Sequence, residues 1–314
     1  MPVKLRGWER DLDKLSSNLA YKDIHMIEDH LLALLLKRLS KVRARSLDEA
    51  ASILEYLSRT IRGRFPFSFA ALATADALSI YAKRILERGD MTAKETLDGA
   101  RRLLRFLLTY SNSSTREVAV NLGRAIPFGS EVLLVGFTNS LIPILLAVSG
   151  KISGVHTISY WPLMSGRGLA VKLRRAGIKA TPWPDSNLSQ AVSKSDAVVI
   201  AALGVSGEGV FVAEAGAYAA SLLAESEGRD VILISRSWSF RPSTPEGVEG
   251  FVERIPHPLE KKVSIELRLF DLTPLSKAGL IASELGLHKN PSGDEIRDTY
   301  ASFMERILSG LPRA

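Results

Sequence analysis

Glu131-Val-Leu-Leu-Val-Gly-Phe137, followed by Thr138-Asn139-Ser140, reads as an apolar strand that ends in small polar residues and turns into a helix. The pattern repeats twice. Val155-His-Thr-Ile-Ser-Tyr160 breaks at Trp161-Pro-Leu-Met-Ser-Gly166 into the helical run from Arg167 to Gly177. Asp196-Ala-Val-Val-Ile-Ala-Ala202 runs into Leu203-Gly-Val-Ser-Gly-Glu-Gly209 and a helix ending near Glu225. Strand, short turn and helix in succession predict right-handed crossovers and a parallel sheet. Ligands of such sheets bind at the carboxyl ends of the strands, so these three turns are where a site is sought.

Working outward, residues 1–128 carry helical signals only. Ile24, Ile27, Leu31, Leu32, Leu35, Leu36 and Leu39 recur at helical spacing. Ser46-Leu-Asp-Glu49, Thr92-Ala-Lys-Glu95 and Ser114-Thr-Arg-Glu117 each have the capping-box pattern, in which a hydroxyl and a carboxylate satisfy free N–H groups at a helix start. They predict helices over 47–62, 93–110 and 115–126, and Pro66 is expected to open another that runs to Arg88. Pro127-Phe-Gly-Ser130 marks the boundary, giving a helical domain (1–128) and a Rossmann-like α/β domain (129–314). In the second part, strands are expected near 131–137, 155–160, 178–181, 197–202, 230–235 and 266–271. Helices are expected near 140–149, 166–176, 187–193, 213–225, 276–286 and 294–309, and Arg241 to Ser264 reads as a surface excursion.

The chain has no cysteine, which excludes disulfides, a thiolate nucleophile and cysteine-ligated zinc. It points to an intracellular chain and accords with a heat-adapted source. Met1 to Gly7 lacks the apolar run of a secretory signal, and the longest apolar stretch, Leu31 to Leu36, is too short to span a bilayer. The net charge of +7 is unevenly placed, with 22 basic and 15 acidic residues in 1–130 and 19 of each in the remainder. Lys37, Arg38, Lys41, Arg43 and Arg45 cluster, as do Arg59, Arg62 and Arg64. Such clusters fit a solvated helix face, an acidic partner or anionic ligand groups. No recognition motif accompanies them, and direct binding of nucleic acid is not expected.

Most reaction chemistries fail at the strand-end turns. Gly136-Phe-Thr-Asn-Ser-Leu141 is not a dinucleotide fingerprint, Gly204-Val-Ser-Gly-Glu-Gly209 has the wrong spacing, and there is no Walker A sequence. Ser206 has Gly204 before it but Glu208 where a nucleophile elbow needs glycine. His25, His30, His156, His257 and His288 are scattered, so neither a Ser–His–Asp order nor a metal centre is indicated. Anion binding is the chemistry that the turns leave open. Asn139-Ser140 and Ser165-Gly166-Arg167 put small polar groups where a helix follows a strand, and helix N-termini offer free N–H groups. Simple capping by Ser140 and Ser165 fits the same residues, and Asp185-Ser186-Asn187 reads as a site edge or an N-cap. The candidate ligand-binding residues are Thr138, Asn139, Ser140, Ser165, Gly166, Arg167, Asp185 and Ser206; no metal or cofactor is expected.

In order and spacing, these turns resemble one family. It contains the alpha, beta and delta regulatory subunits of eukaryotic initiation factor two B, methylthioribose-1-phosphate isomerase and ribose-1,5-bisphosphate isomerase. Ile126-Pro-Phe-Gly-Ser-Glu-Val-Leu-Leu-Val-Gly-Phe-Thr-Asn-Ser140 is similar to the family's I-x-D-G-x-x-I-L-T-H-C-N-S. Ser159-Tyr-Trp-Pro-Leu-Met-Ser-Gly-Arg-Gly-Leu-Ala170 is similar to E-S-R-P-L-N-Q-G-R-x-L-A. Asp196 to Leu203, Ser237-Trp-Ser-Phe240 and Leu269-Phe-Asp-Leu-Thr-Pro274 match further motifs in order. The resemblance implies a helical domain on a Rossmann-like parallel-sheet domain of the NagB/RpiA/CoA-transferase-like kind. It also implies a dimer built through that domain, a sugar-phosphate or nucleotide pocket, and a cytoplasmic location.

The same resemblance marks departures. The isomerases' cysteine and aspartate, which move the proton on the sugar phosphate, fall on Thr138 and Leu203. Their arginine falls on Trp161, their glutamine on Ser165, their asparagine–lysine pair on Ala213 and Glu214, and a later lysine on Ser239, while Asn139, Gly166 and Arg167 are kept. Leucine cannot carry a proton, and losing one group of an acid–base pair forfeits about 10²–10⁴-fold in rate. The expectation is a non-catalytic regulatory or scaffold protein of translation initiation. It is expected to be a homodimer or paired with a family relative, with initiation factor two as a partner and a small phosphorylated ligand. The alternative expectation is an aldose–ketose sugar-phosphate isomerase whose acids or bases have moved to Asp185, Glu208 or Glu214; a sensor that binds such a ligand without converting it is a third.

Overall fold

Among the described residues five helices come first: α1 (Trp8–Ser16), α2 (Ile24–Leu39), α3 (Leu47–Arg64), α4 (Phe69–Arg88) and α5 (Ala93–Ala125). The computed structural model describes residues 7–16, 24–136, 141–248, 252–257, 260 and 262–309. Ser46 caps α3, its hydroxyl accepting from the Glu49 N–H, and Thr92 with Glu95 forms a reciprocal capping box at α5. The helix expected from Pro66 starts at Phe69 instead, because the hydroxyl of Ser68 accepts from the Ala71 N–H and makes Ser68 the cap. The third capping box does not act as one. Ser114 and Thr115 lie inside α5, where their hydroxyls donate back to the Ser111 carbonyl, so the expected break near 110–115 is absent.

The α/β part follows as β1 (Ser130–Val135), α6 (Leu141–Val148), β2 (Ile152–Ile158), α7 (Ser165–Arg175), β3 (Ala180–Trp183), α8 (Leu188–Ser193) and β4 (Ala197–Ser206). Next come β5 (Val210–Glu214), α9 (Ala217–Ser226), β6 (Asp230–Ile234) and β7 (Phe240–Arg241). After these come β8 (Val252–Pro256), β9 (Ser264–Arg268), β10 (Phe270–Pro274), β11 (Leu280–Ser283), β12 (Gly286–Lys289) and α10 (Gly293–Ser309). The main sheet has the order β12-β11-β6-β4-β1-β2-β3, parallel except for the β11–β12 hairpin.

Three expectations fail here for identifiable reasons. Strand β4 does not end at Ala202 but continues to Ser206, where it pairs with β5 and β7, and the start of the expected 213–225 helix is part of β5. The expected helix over 276–286 is the β11–β12 hairpin. Ile281 and Ala282 are fully buried beside β6, and a short buried strand reads like a buried helix turn. The strand expected at 266–271 is split between β9, which pairs with β8 in a separate two-stranded sheet, and β10, which pairs with β5.

Alternation along the strands sorts the core into two layers. Leu133, Val135, Val198 and Ile200 face one core, which also holds Phe69 of α4, Leu103 of α5 and Phe303 of α10. Val132, Leu134, Val199 and Ala201 face the other, with Leu122 of α5, Leu145 of α6 and Leu169 of α7. The helical segment therefore shares a core with the sheet. Polar clamps cross the same junction. Arg236 pairs with buried Glu28 and donates to Ser111 (2.7 Å), whose hydroxyl donates to Asp29 (2.7 Å). The Asp76 carboxylate of α4 accepts from Arg62 of α3, from Arg241 of β7 and from the Tyr300 hydroxyl of α10. Buried pairs of this kind fix how elements dock more than they add net stability. Among the described residues no helix is long and apolar enough to cross a membrane.

Candidate functional site

A cleft of about 300 Å³ lies at the carboxyl ends of β1 and β2, where Val135 and Ile158 form part of its wall. The turn between β2 and α7 contributes Tyr160, Trp161 and Leu163; the segment entering α8 contributes Asp185 and Leu188; the end of β5 contributes Glu214. Leu267 and Arg268 at the end of β9, and Leu269 between β9 and β10, complete the wall.

The turn that carries Tyr160 and Trp161 is shaped by Asp185. One carboxylate oxygen accepts from the Tyr160 N–H (2.9 Å) and the other from the Trp161 N–H (3.0 Å). Tyr160 itself has φ of 57°, a conformation that side chains larger than glycine seldom adopt, so these two bonds hold an otherwise unfavourable backbone. The Tyr160 hydroxyl accepts from the Gly136 N–H (3.2 Å), linking the ends of β1 and β2. Burial, reinforced by the negative charge of Glu214, pushes this phenol well above its ordinary range, so it stays protonated.

Ser165 is the first residue of α7, and its hydroxyl donates to Glu214 Oε1 (3.3 Å). Gly166 is buried beneath β2, its carbonyl accepting from the Thr157 hydroxyl (2.9 Å). A Cβ there would overlap the Ile158 carbonyl oxygen, so only glycine lets α7 approach the strand this closely. Arg167 is exposed on α7 and does not line the cleft. Asp185 and Glu214 do. Ser206 lies elsewhere, fully buried at the end of β4, its hydroxyl accepting from the Glu208 N–H (3.1 Å). Glu208 is turned to Thr244, whose N–H holds its carboxyl below the usual range. Thr138, Asn139 and Ser140 lie outside the described residues. Leu203 packs against the hydrophobic core.

Two features escaped the reading of the sequence. The start of α9 has no local cap; Asp271 of β10 reaches it instead, accepting from the N–H groups of Gly216 (2.8 Å) and Tyr218 (3.1 Å). This places a carboxylate where a phosphate would otherwise find free N–H donors. The only sequence signal was a helix start without a Ser, Thr, Asp or Asn before it. The second is a Ser–His–Glu line on the far edge of the sheet. Ser283 Oγ lies 2.8 Å from His288 Nε2, and His288 Nδ1 lies 2.6 Å from Glu295. Ser283 is fully buried and also accepts from the Leu285 N–H, so this line ties the β11–β12 hairpin to α10 rather than presenting a nucleophile.

Comparison with known proteins addresses the frame around the cleft. The pattern of the family described as "Initiation factor 2 subunit family" matches residues 72–290. The chain belongs to this family. Translation initiation factor eIF2B subunit alpha of Dictyostelium discoideum is 25% identical over 208 residues, which cover 60% of this chain and 65% of that relative. Among solved structures, the Pyrococcus horikoshii translation initiation factor eIF-2B superposes with a TM-score of 0.73 at 16% identity, over 90% of this chain and 98% of its own. The tetrameric eIF2B-beta2-delta2 complex from C. thermophilum gives 0.71 at 15% identity, over 96% of each chain. The 5-methylthioribose 1-phosphate isomerase of Pyrococcus horikoshii gives 0.62 at 15%, over 93% of this chain and 88% of its own. At these identities the likeness is one of fold: a helical N-terminal region followed by a mostly parallel sheet. The family frame thus surrounds a cleft whose titratable walls in this member are Tyr160, Asp185, Glu214 and Arg268.

Proposed function

We propose that this initiation factor 2 family member is a non-catalytic regulatory or scaffold protein of translation initiation in the cytoplasm. It acts as a homodimer or paired with a family relative, and initiation factor two is its partner. The observation that carries this reading is Leu203: the position where the resemblance requires a proton-transferring aspartate holds an apolar side chain packed on the core. The remaining acids of the cleft are committed elsewhere, with Asp185 holding the Tyr160–Trp161 backbone and Glu214 accepting from Ser165. Binding of a small phosphorylated ligand without conversion is kept in the proposal, with Arg268 as the cation of the cleft wall. Trp161 replaces a cation and Glu214 opposes an anion, so such binding is expected to be weaker than an isomerase's.

Incubating the pure protein with ribose-1,5-bisphosphate and with methylthioribose-1-phosphate tests the reading; no turnover is expected, and turnover of either at rates usual for enzymes overturns it. A thermal-shift series with the same compounds reports binding separately, since a ligand at about 100 times its dissociation constant adds roughly 2.7 kcal/mol. The proposed partner is tested by capture from source lysate, where initiation factor two should be recovered. One observation favours a second reading, an isomerase with displaced groups: Glu214 and Asp185 face the same cleft, as an acid and a base would. Loss of turnover in Glu214→Gln would support it.

A further inference from the structure

Sharing no residue with the cleft, the turn after α2 and the start of α5 enclose a second cavity of about 480 Å³. Its floor is apolar, formed by buried Val42 and Leu97, and its rim carries Arg43, Lys94 and Arg101. Helix α2 stops at Leu39, and the last carbonyls of a helix need donors from outside it. The Leu39 carbonyl accepts from the Val42 N–H, and it is held further by Arg101 of α5. Its Nε and Nη2 donate to the Leu39 carbonyl, Nη2 also donates to the Val42 carbonyl, and Nη1 pairs with Asp98. With its side chain only 17% exposed, Arg101 locks the turn that presents Arg43. The backbone of the cavity is therefore held in place, and the exposed side chains of Arg43 and Lys94 project from it.

Charge singles out the same place. Many arginines of the helical segment are paired, Arg38 with Asp11, Arg62 with Asp76 and Arg64 with Asp13. Among the described residues no carboxylate pairs with Lys94 on the rim or with Lys41 and Arg45 beside it. Of the basic run Lys41 to Arg45, part of the segment that holds the net charge of the chain, Arg43 lines the cavity, whose size is that of sites for small organic ligands, about 300–1,000 Å³. An apolar floor under a cationic rim suits a molecule with an apolar body and several negative charges.

We propose that this cavity is a ligand site, separate from the cleft, for a small organic polyphosphate of the nucleotide class. The test is calorimetric titration of the full chain with ATP and with inorganic pyrophosphate, at low and at physiological ionic strength. One saturable site per chain is expected. Arg43→Glu and Lys94→Glu should each weaken it by about tenfold or more, because each removes a charge-assisted contact and adds repulsion. Both residues are exposed, so thermal unfolding of these variants should match the parent and exclude misfolding. Arg174→Glu/Arg175→Glu, on the exposed face of α7, should bind as the parent does. The proposal is overturned by absence of binding at millimolar ligand, or by an equal loss in the α7 variant, which would mean a diffuse field. It is also overturned if binding survives both rim variants and is lost in Arg268→Glu, which would put the ligand in the cleft. Binding of a phosphorylated peptide with none of ATP or pyrophosphate likewise rejects a small-ligand site.

Discussion

Two glycines of α7 stand two residues apart and face opposite fates. A methyl group on Gly166 would collide with the Ile158 backbone, while one on Gly168 would meet nothing within 4 Å. Gly166→Ala is expected to cost at least about 2 kcal/mol, because backbone cannot yield as a side chain does. Gly168→Ala, which removes a helix-interior glycine, is expected to add roughly 0.5–1 kcal/mol. Denaturant midpoints of the two variants should move in opposite directions. Asp185 behaves likewise as a residue of construction. Asp185→Ala removes both acceptors of the Tyr160 and Trp161 N–H groups and is expected to lower stability by roughly 1–2 kcal/mol, with Asp185→Asn losing about half as much on the same measurement. The sequence pointed to Gly166 and Asp185 because they sit after strands. It did not show why each is there, since the reasons are Ile158, eight residues upstream of one, and a turn about 25 residues upstream of the other.

At the scale of elements, α9 is held by a strand rather than by its own first turn. Asp271→Ala should free the N–H groups of Gly216 and Tyr218, at a cost of about 0.5–2 kcal/mol, comparable to loss of a helix cap. Hydrogen exchange in the first turn of α9 should quicken, and inorganic phosphate should bind the variant more tightly than the parent in calorimetric titration. Unchanged exchange there would show that the carboxylate is not the cap. Elements defined by their own sequence were legible: the capping box at Thr92, the cap at Ser46, and the first two strand–helix repeats from Glu131 onward. Elements defined by distant partners were not. Ser114 looks like a cap until its hydroxyl donates to the i−3 carbonyl of Ser111, and β11 looks helical until β6 is beside it. The extension of β4 to Ser206 depends on β5, β7 and β10, all later in the chain.

Across the whole molecule, buried phenols make the fold sensitive to alkali, Tyr110 and Tyr300 bridging the helical and α/β parts and Tyr81 tying α4 to α5. Burial pushes Tyr81 up to about 12, and it pushes Tyr110 and Tyr300 higher still, with Glu284 and Asp76 adding to the effect. Unfolded tyrosine ionises near pH 10, so the folded chain binds these protons more tightly than the unfolded one. Their contribution is complete below about pH 10 and is lost as pH rises through the folded values. Denaturant midpoints should therefore hold from neutral pH to about 10 and fall above it, with tyrosinate absorbance rising in step with unfolding rather than before it. Tyr300 also leads to Asp76, where α3, α4, β7 and α10 meet. A ribosome delivers Asp76 of α4 165 residues ahead of Arg241 and 224 ahead of Tyr300. Through most of synthesis this carboxylate has Arg62 alone, and the face of α4 that packs on the sheet has nothing to cover it. The first-made helices therefore lack their partners on β7 and α10 until those residues are synthesised, so the docking of the helical segment is a late event in the making of the chain.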